Sequence, residues 1–271
     1  MNNSSSVTSV SSNKSGGQNL LQVETLNVVY GNGNEPVHAV KDASFDIGSG
    51  EIFGLVGESG CGKSSLGKAI IGLNTPASGS IIYKGCNITG LKGKALQEYR
   101  QEVQMVFQDP YGSLNPRMKV GNAILDVLNV HKIGSSISDR RERIAELFEA
   151  VGLDAGWAWR YPHEFSGGQR QRICIARALA LNPDLIVADE PVSALDVSVQ
   201  AEILELLEGL RETRQLAFLF ISHDLAVVRN ICDRVAVMYN GEIVEMGDVS
   251  AVIDNPQHAY TRKLLNAVPS F

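Results

Sequence analysis

The stretch GLVGESGCGKSSLGKAIIGL, residues 54–73, constrains this chain more than any other. An apolar run, IFGLV, leads into glycines and a lysine, and a helix-like segment follows. Residues 57–64, GESGCGKS, fit G-x-x-x-x-G-K-[ST] in the strand–loop–helix context that gives the pattern its meaning. Glycines there let backbone N–H groups point inward around an anion, and the helix that follows adds the partial positive charge of its N-terminus. The loop is therefore a candidate phosphate cradle. Its expected nucleotide contacts are Gly57, Glu58, Ser59, Gly60, Cys61, Gly62, Lys63, Ser64 and Ser65. Lys63 would neutralise the β- and γ-phosphates and Ser64 would place its hydroxyl on Mg²⁺, with Cys61 a small filler.

Around this loop the patterns alternate. LQVETLNVVYG, VHAVKDASFDI and GSIIYKGCNITG read as strands of an antiparallel sheet preceding and flanking the loop. From about residue 91 to 181 the pattern turns helical. In SDRRERIAELFEAVGL, Ile144, Leu147, Phe148 and Val151 recur on one helical face, with Ser138 or Asp139 as the cap and Gly152 as the stop. Two apolar runs, PDLIVADEP and LAFLFISHD, enclose an amphipathic helix carrying Ile203, Leu206, Leu207 and Leu210. Strands alternating with helices imply a buried parallel sheet. Asn240-Gly241 between two β-rich runs predicts a hairpin, and no internal repeat is present.

Composition narrows the partners. A net charge of -6 gives no electrostatic footprint for nucleic acid, so no nucleic-acid partner is expected. The four cysteines are scattered without a C-x-x-C pair, which suggests neither zinc nor an iron–sulfur framework. No run approaches the roughly 20 apolar residues of a membrane-spanning helix, so a membrane role would go through a partner. The Ser/Asn-rich residues 1–20 read as a disordered tail.

A phosphate cradle hydrolyses nothing without a metal carboxylate and a group that orients water. LIVADEP ends with both: Asp189 would hold Mg²⁺ through its shell, and Glu190 would polarise the attacking water. His223, after the next apolar run, would lie at the same carboxyl edge and hydrogen-bond the γ-phosphate. In HEFSGGQRQRICIARAL, Ser166, Gly167, Gly168 and Gln169 open a helix and form a second anion-binding terminus.

In order, the phosphate loop, Gln108 in VFQDP, SGGQ, LIVADEP, SALD (193–196) and SHD resemble the ATP-binding cassette (ABC) ATPases over nearly everything after the tail. The resemblance implies an α/β fold: a RecA-like P-loop core with a mixed sheet, an antiparallel β subdomain and a helical insertion. It implies an ATPase domain over 21–254, the insertion over about 97–180, and a C-terminal peptide-transporter-type motif over 255–271. Implied too are ATP and Mg²⁺, with Ser64, Gln108 and Asp189 toward the metal and Glu190, His223 and Gln108 in catalysis. Tyr30 matches the aromatic that stacks on adenine, and Phe165 stands where the family usually has Leu. The family pairs head to tail, the SGGQ of one subunit closing on the γ-phosphate held by the other.

What the ATPase drives is open among a transporter motor, a soluble cassette acting on DNA or the ribosome, and a module that binds ATP and only switches. Neither a long coiled-coil interruption nor a second cassette is present, and the intact Glu190 and His223 disfavour a pure switch. FQDPYGSLNPRMKV and NPQHAYTRKLLNAVP resemble the peptide and nickel importer branch, with Ala259 where Pro is usual. That branch implies two transmembrane permease subunits, a sister or identical ATPase and an extracytoplasmic solute-binding protein, at the cytoplasmic face of the bacterial inner membrane. Oligopeptides or dipeptides come first as cargo, with nickel, glutathione and opine-like solutes open. Tyr111, Leu114 and Pro116 are expected to form the socket for a membrane-subunit helix.

Overall fold

The computed structural model describes residues 19–31 and 36–266. β1 (Asn19–Tyr30) and β2 (Val37–Gly48) form a long antiparallel pair. β3 (Ile52–Val56) then runs through the glycine loop into α1 (Lys63–Ile70). β4 (Ser78–Tyr83), β5 (Cys86–Asn87), α2 (Gly93–Glu102) and β6 (Val103–Val106) follow. A helical stretch comes next: α3 (Pro110–Ser113), α4 (Val120–Val130), α5 (Ile137–Ala150) and, after two 3₁₀ turns, α6 (Gly167–Leu179). β7 (Leu185–Asp189), α7 (Val197–Arg214), β8 (Ala217–Ser222), α8 (Leu225–Ile231) and β9 (Arg234–Tyr239) alternate regularly. β10 (Glu242–Asp248), α9 (Val249–Asp254) and α10 (Ala259–Asn266) end the described chain.

Two sheets result, one of four strands ordered β2-β1-β4-β5 and one of six ordered β10-β9-β3-β8-β7-β6. The first is antiparallel throughout. In the second, β9, β3, β8, β7 and β6 are parallel, and β10 adds an antiparallel edge. β3, β7 and β8 are buried on both faces, which is why they read as unbroken apolar runs. Their alternate residues feed two cores. Phe53, Leu55, Val187 and Leu219 face the antiparallel sheet and α1. Ile52, Ile186, Ala188 and Phe220 face the helical stretch and α7. The sheet is thus pinned between two apolar layers, and its carboxyl edge is a fixed platform.

Several boundaries differ from the sequence expectation. β1 begins at Asn19, inside the stretch read as tail, while residues 1–18 lie outside the described residues. The helical insertion does not run from about 97, because Val103–Val106 pairs with Leu185–Ala188 as the edge strand of the large sheet. Four residues are too few for a period of two to show against helical surroundings. α5 is capped by Ser136, whose Oγ accepts the Asp139 N–H, two residues before the earlier of the expected caps. The hairpin is as expected: Asn240 and Gly241 have φ of 48° and 89°, joining Tyr239 to Glu242.

Candidate functional site

The carboxyl ends of β3, β7 and β8, with the segment after β6, converge on one cavity of about 880 Å³. Its walls include residues 57–65, Gln108, Glu190 and His223, all expected from the sequence. The loop between β3 and α1 is shaped by two glycines at which any side chain would collide with the main chain. Gly57 has φ 155° and Gly62 φ 114°; a Cβ on the first would lie 2.2 Å from the Met238 carbonyl oxygen, and on the second 2.1 Å from that of Ala39. Gly62 also caps α1, leaving the first N–H groups of the helix open toward the cavity. Cys61 is the expected filler, nearly buried behind the loop.

Lys63 is 4% exposed and folds back into the loop, its Nζ donating to the carbonyl oxygens of Gly57 at 2.7 Å and Glu58 at 2.9 Å. A cation held by main-chain carbonyls of the glycine loop, at the N-terminus of α1, is a ready counter-charge for phosphate oxygens. Ser64, the next residue, donates its hydroxyl to Asp189 Oδ1 at 2.9 Å. Burial pushes the Asp189 carboxyl above its usual range, the Ser64 bond opposes this, and the neighbouring Glu190 charge adds to it. The two oxygen donors expected at a magnesium ion therefore already meet. Among the described residues no group of three or more His, Cys, Asp or Glu is placed to hold a metal. That donor set suits Mg²⁺, which takes few protein ligands and shares the rest with phosphates and water.

One residue further, Glu190 adopts a left-handed backbone, φ 47°, and its N–H donates to the Ile221 carbonyl of β8. That conformation is uncommon for a non-glycine residue and marks a position the surrounding structure holds in place. Its Oε2 accepts from Gln108 Nε2 at 2.9 Å and lies 3.2 Å from His223 Nδ1. Three side chains from three strand ends thus meet on one carboxylate oxygen. Its side chain is 12% exposed against 53% for His223, so the acid is recessed and the imidazole stands at the rim.

Two groups of expected site residues lie elsewhere. Ser166–Gln169 open α6 away from the cavity walls. There the Ser166 hydroxyl accepts the Gln169 N–H at 3.3 Å, and Gln169 Oε1 accepts the Ser166 N–H at 3.0 Å. Tyr30 is also absent from the walls; it is 40% exposed, and its hydroxyl accepts a bond from Asn74 Nδ2 at 2.6 Å. Its cross-strand partner Val37 lines the cavity instead, with His38, Ala39 and Lys41 of β2. Sequence reasoning missed this wall, and also Asn240, Gly241 and Leu264. The Asn-Gly turn was legible as a hairpin, but nothing in it shows that Gly241 N–H donates to the Cys61 carbonyl and backs the loop.

A second hollow of about 550 Å³ lies between the large sheet and the helical stretch, lined by Arg100, Gln104, Phe107, Asn115, Met118 and Val127 among others. The expected socket residues do not line it. Leu114 is 2% exposed and belongs to the core, and the Tyr111 ring lies under the Arg170 guanidinium at 4.2 Å. Phe165 keeps the apolar role of the usual Leu, buried with its ring edge-on to Trp157.

Comparison with known proteins agrees with this geometry. Residues 40–193 match the family described as ABC transporter, and residues 244–271 match the oligopeptide/dipeptide transporter C-terminal region. The chain is 49% identical over 253 residues to the oligopeptide transport ATP-binding protein OppF of Bacillus subtilis (strain 168), covering 93% of this chain and 83% of that one. It is 57% identical over 233 residues to the glutathione import ATP-binding protein GsiA of Salmonella typhimurium, covering 86% of this chain but only 37% of the relative. Among solved structures, a post-hydrolysis dimer of the ATP-binding cassette MJ0796 bound to ADP and Pi superposes with a TM-score of 0.76 at 30% identity, over 84% of this chain and 98% of that one. For cbiO1 of Clostridium perfringens, part of the ABC transporter complex cbiONQ, the TM-score is 0.78 at 28% identity, over 93% and 96%. The chain belongs to the ABC transporter family, as one of its ATP-hydrolysing, ATP-binding subunits.

Proposed function

We propose that this chain is the ATP-hydrolysing motor of an importer that carries oligopeptides or dipeptides across the bacterial inner membrane. The observation that carries the cargo class is the match of residues 244–271 to a region named for oligopeptide and dipeptide transporters, together with the OppF likeness. Glutathione, a tripeptide derivative, is the second reading, favoured by the 57% identity to the glutathione import protein.

In the proposed chemistry the loop N–H groups and Lys63 hold the β- and γ-phosphates of ATP, and Ser64 with Asp189 and Gln108 would hold Mg²⁺, which supplies charge neutralisation to the transferred phosphoryl group. Glu190 accepts a hydrogen bond from the attacking water and takes its proton as the water oxygen bonds to the γ-phosphorus and the bond to ADP breaks. Gln108 orients the Glu190 carboxylate from one side. His223, at the rim, donates to a γ-phosphate oxygen. Tyr30, 40% exposed beside the cavity-lining Val37, would stack on the adenine. Ser166–Gln169, which lies outside the cavity walls of its own chain with Ser166 exposed, suits closure over the γ-phosphate of a second ATPase, sister or identical, arranged head to tail. The dimeric state named for the MJ0796 cassette supports pairing of two ATPases.

No helix among the described residues is long and apolar enough to cross a membrane. The motor therefore works as a peripheral subunit under two permease subunits, with an extracytoplasmic solute-binding protein delivering the cargo. The hollow beside Phe107 and Met118 is the docking socket for a permease helix, in place of Tyr111, Leu114 and Pro116. Residues 21–254 form the motor domain and 255–271 its appended motif. Uptake of labelled di- and oligopeptides and of labelled glutathione, measured in cells with and without this chain, tests the proposal. Loss of peptide uptake alone supports the first reading, and loss of glutathione uptake alone the second. Unchanged uptake of both refutes the importer reading.

A further inference from the structure

The C-terminal helix α10 touches the phosphate loop itself. Tyr260 is 6% exposed, and its hydroxyl accepts the backbone N–H of Glu58 at 3.0 Å, across 202 positions of sequence. Leu264, one helical turn on, forms part of the cavity wall. Lys263 Nζ approaches the Glu58 carboxylate at 3.7 Å, but both side chains are well exposed, so this pair adds little. The Tyr260 ring is held from behind by Tyr239, with centroids 4.2 Å apart, at the end of the strand whose hairpin also backs the loop. The helix in turn is tied to β10, because the Glu245 carboxylate accepts the N–H groups of Gln257 at 2.7 Å and His258 at 3.0 Å.

These contacts clamp the loop at two points. Gly241 N–H holds the Cys61 carbonyl, and Tyr260 holds the Glu58 N–H. A loop with glycines at 57, 60 and 62 has many conformations to lose when it closes on phosphate, and fixing it beforehand lowers that cost. We infer that Tyr260 is a positioning residue for nucleotide binding: through its hydroxyl, the C-terminal motif pre-orders the phosphate loop. The motif thereby becomes part of the nucleotide site, so that a partner or cargo signal pulling on α10 would change the affinity for ATP.

The test compares the full chain with Tyr260→Phe, which keeps the ring and its stacking on Tyr239 and removes only the acceptor. Binding of Mg·ADP is measured by titration calorimetry below the melting temperature of both proteins, with steady-state ATP hydrolysis and amide exchange at Glu58. One lost hydrogen bond predicts a dissociation constant and KM for ATP about five-fold higher, with kcat unchanged and faster exchange at Glu58. An unchanged or tighter affinity overturns the inference, whether or not the melting temperature falls, because a merely structural tyrosine would alter stability and leave KM alone.

Discussion

Gly62→Ala puts one methyl group where the structure has no room. The residue has φ 114°, and the added Cβ would lie 2.1 Å from the Ala39 carbonyl oxygen and 2.9 Å from the Met238 methyl carbon. The methionine can swing aside, but the carbonyl is main chain of β2, held between His38 and Val40, which both pair with β1. Holding an L-residue at positive φ costs about 1–2 kcal/mol, and forcing a packed backbone apart costs a further 1–3 kcal/mol. The sum of roughly 2–5 kcal/mol corresponds to a melting temperature lower by roughly 5–20 °C at this size. Displacing the cap of α1 also turns its first N–H groups away from the phosphates. Scanning calorimetry with and without Mg·ADP reads both effects. At about 100 times its dissociation constant, nucleotide should stabilise the parent by about 2.7 kcal/mol and the variant by almost nothing. A variant that melts within a degree or two of the parent and shows the same shift with nucleotide would refute the reasoning.

Asp189→Asn is expected to raise the melting temperature of the nucleotide-free chain at neutral pH while abolishing hydrolysis. Burial raises the folded-state Asp189 pKa above its unfolded value, so ionisation burdens the fold fully above the raised pKa and not at all below the unfolded one; the gain should shrink as pH falls through that interval, which calorimetry at several pH values checks. Leu114→Ala should cost about 2–5 kcal/mol in a denaturant titration, as a core truncation does. Phe107→Ala combined with Met118→Ala should leave stability nearly unchanged yet stop uptake in cells, and normal uptake with a lower melting temperature would make these two packing residues instead.

The elements of the site were legible because each is a strand end carrying chemistry. IFGLV, LIVAD and AFLFIS are buried on both faces, and the residues that follow them, Gly57, Glu190 and His223, fall at the carboxyl edge. Strand β6 was not legible, since VQMV is short and lies between helices. Leu114 looked like a docking residue because a loop's apolar side chains carry no mark of which way they face; burial in the core it shares with the helical stretch decided it. The hydroxyl of Tyr260 on Glu58 and the turn of Tyr30 toward Asn74 are tertiary pairings of residues far apart in the chain, which no local pattern encodes. The choice of Ser136 over Ser138 as a cap depends on one hydrogen bond to Asp139.

The central claim is that the recessed carboxylate of Glu190, fixed between Gln108 and His223, drives hydrolysis of ATP held by the loop around Lys63. Single-turnover hydrolysis and nucleotide binding by Glu190→Gln test it directly. The amide keeps the shape and an acceptor for Gln108 but cannot take a proton from water. ATP affinity is expected within about two-fold of the parent, with a hydrolysis rate lower by roughly 10²–10⁴. Hydrolysis at the parent's rate by a variant that binds ATP normally would contradict it.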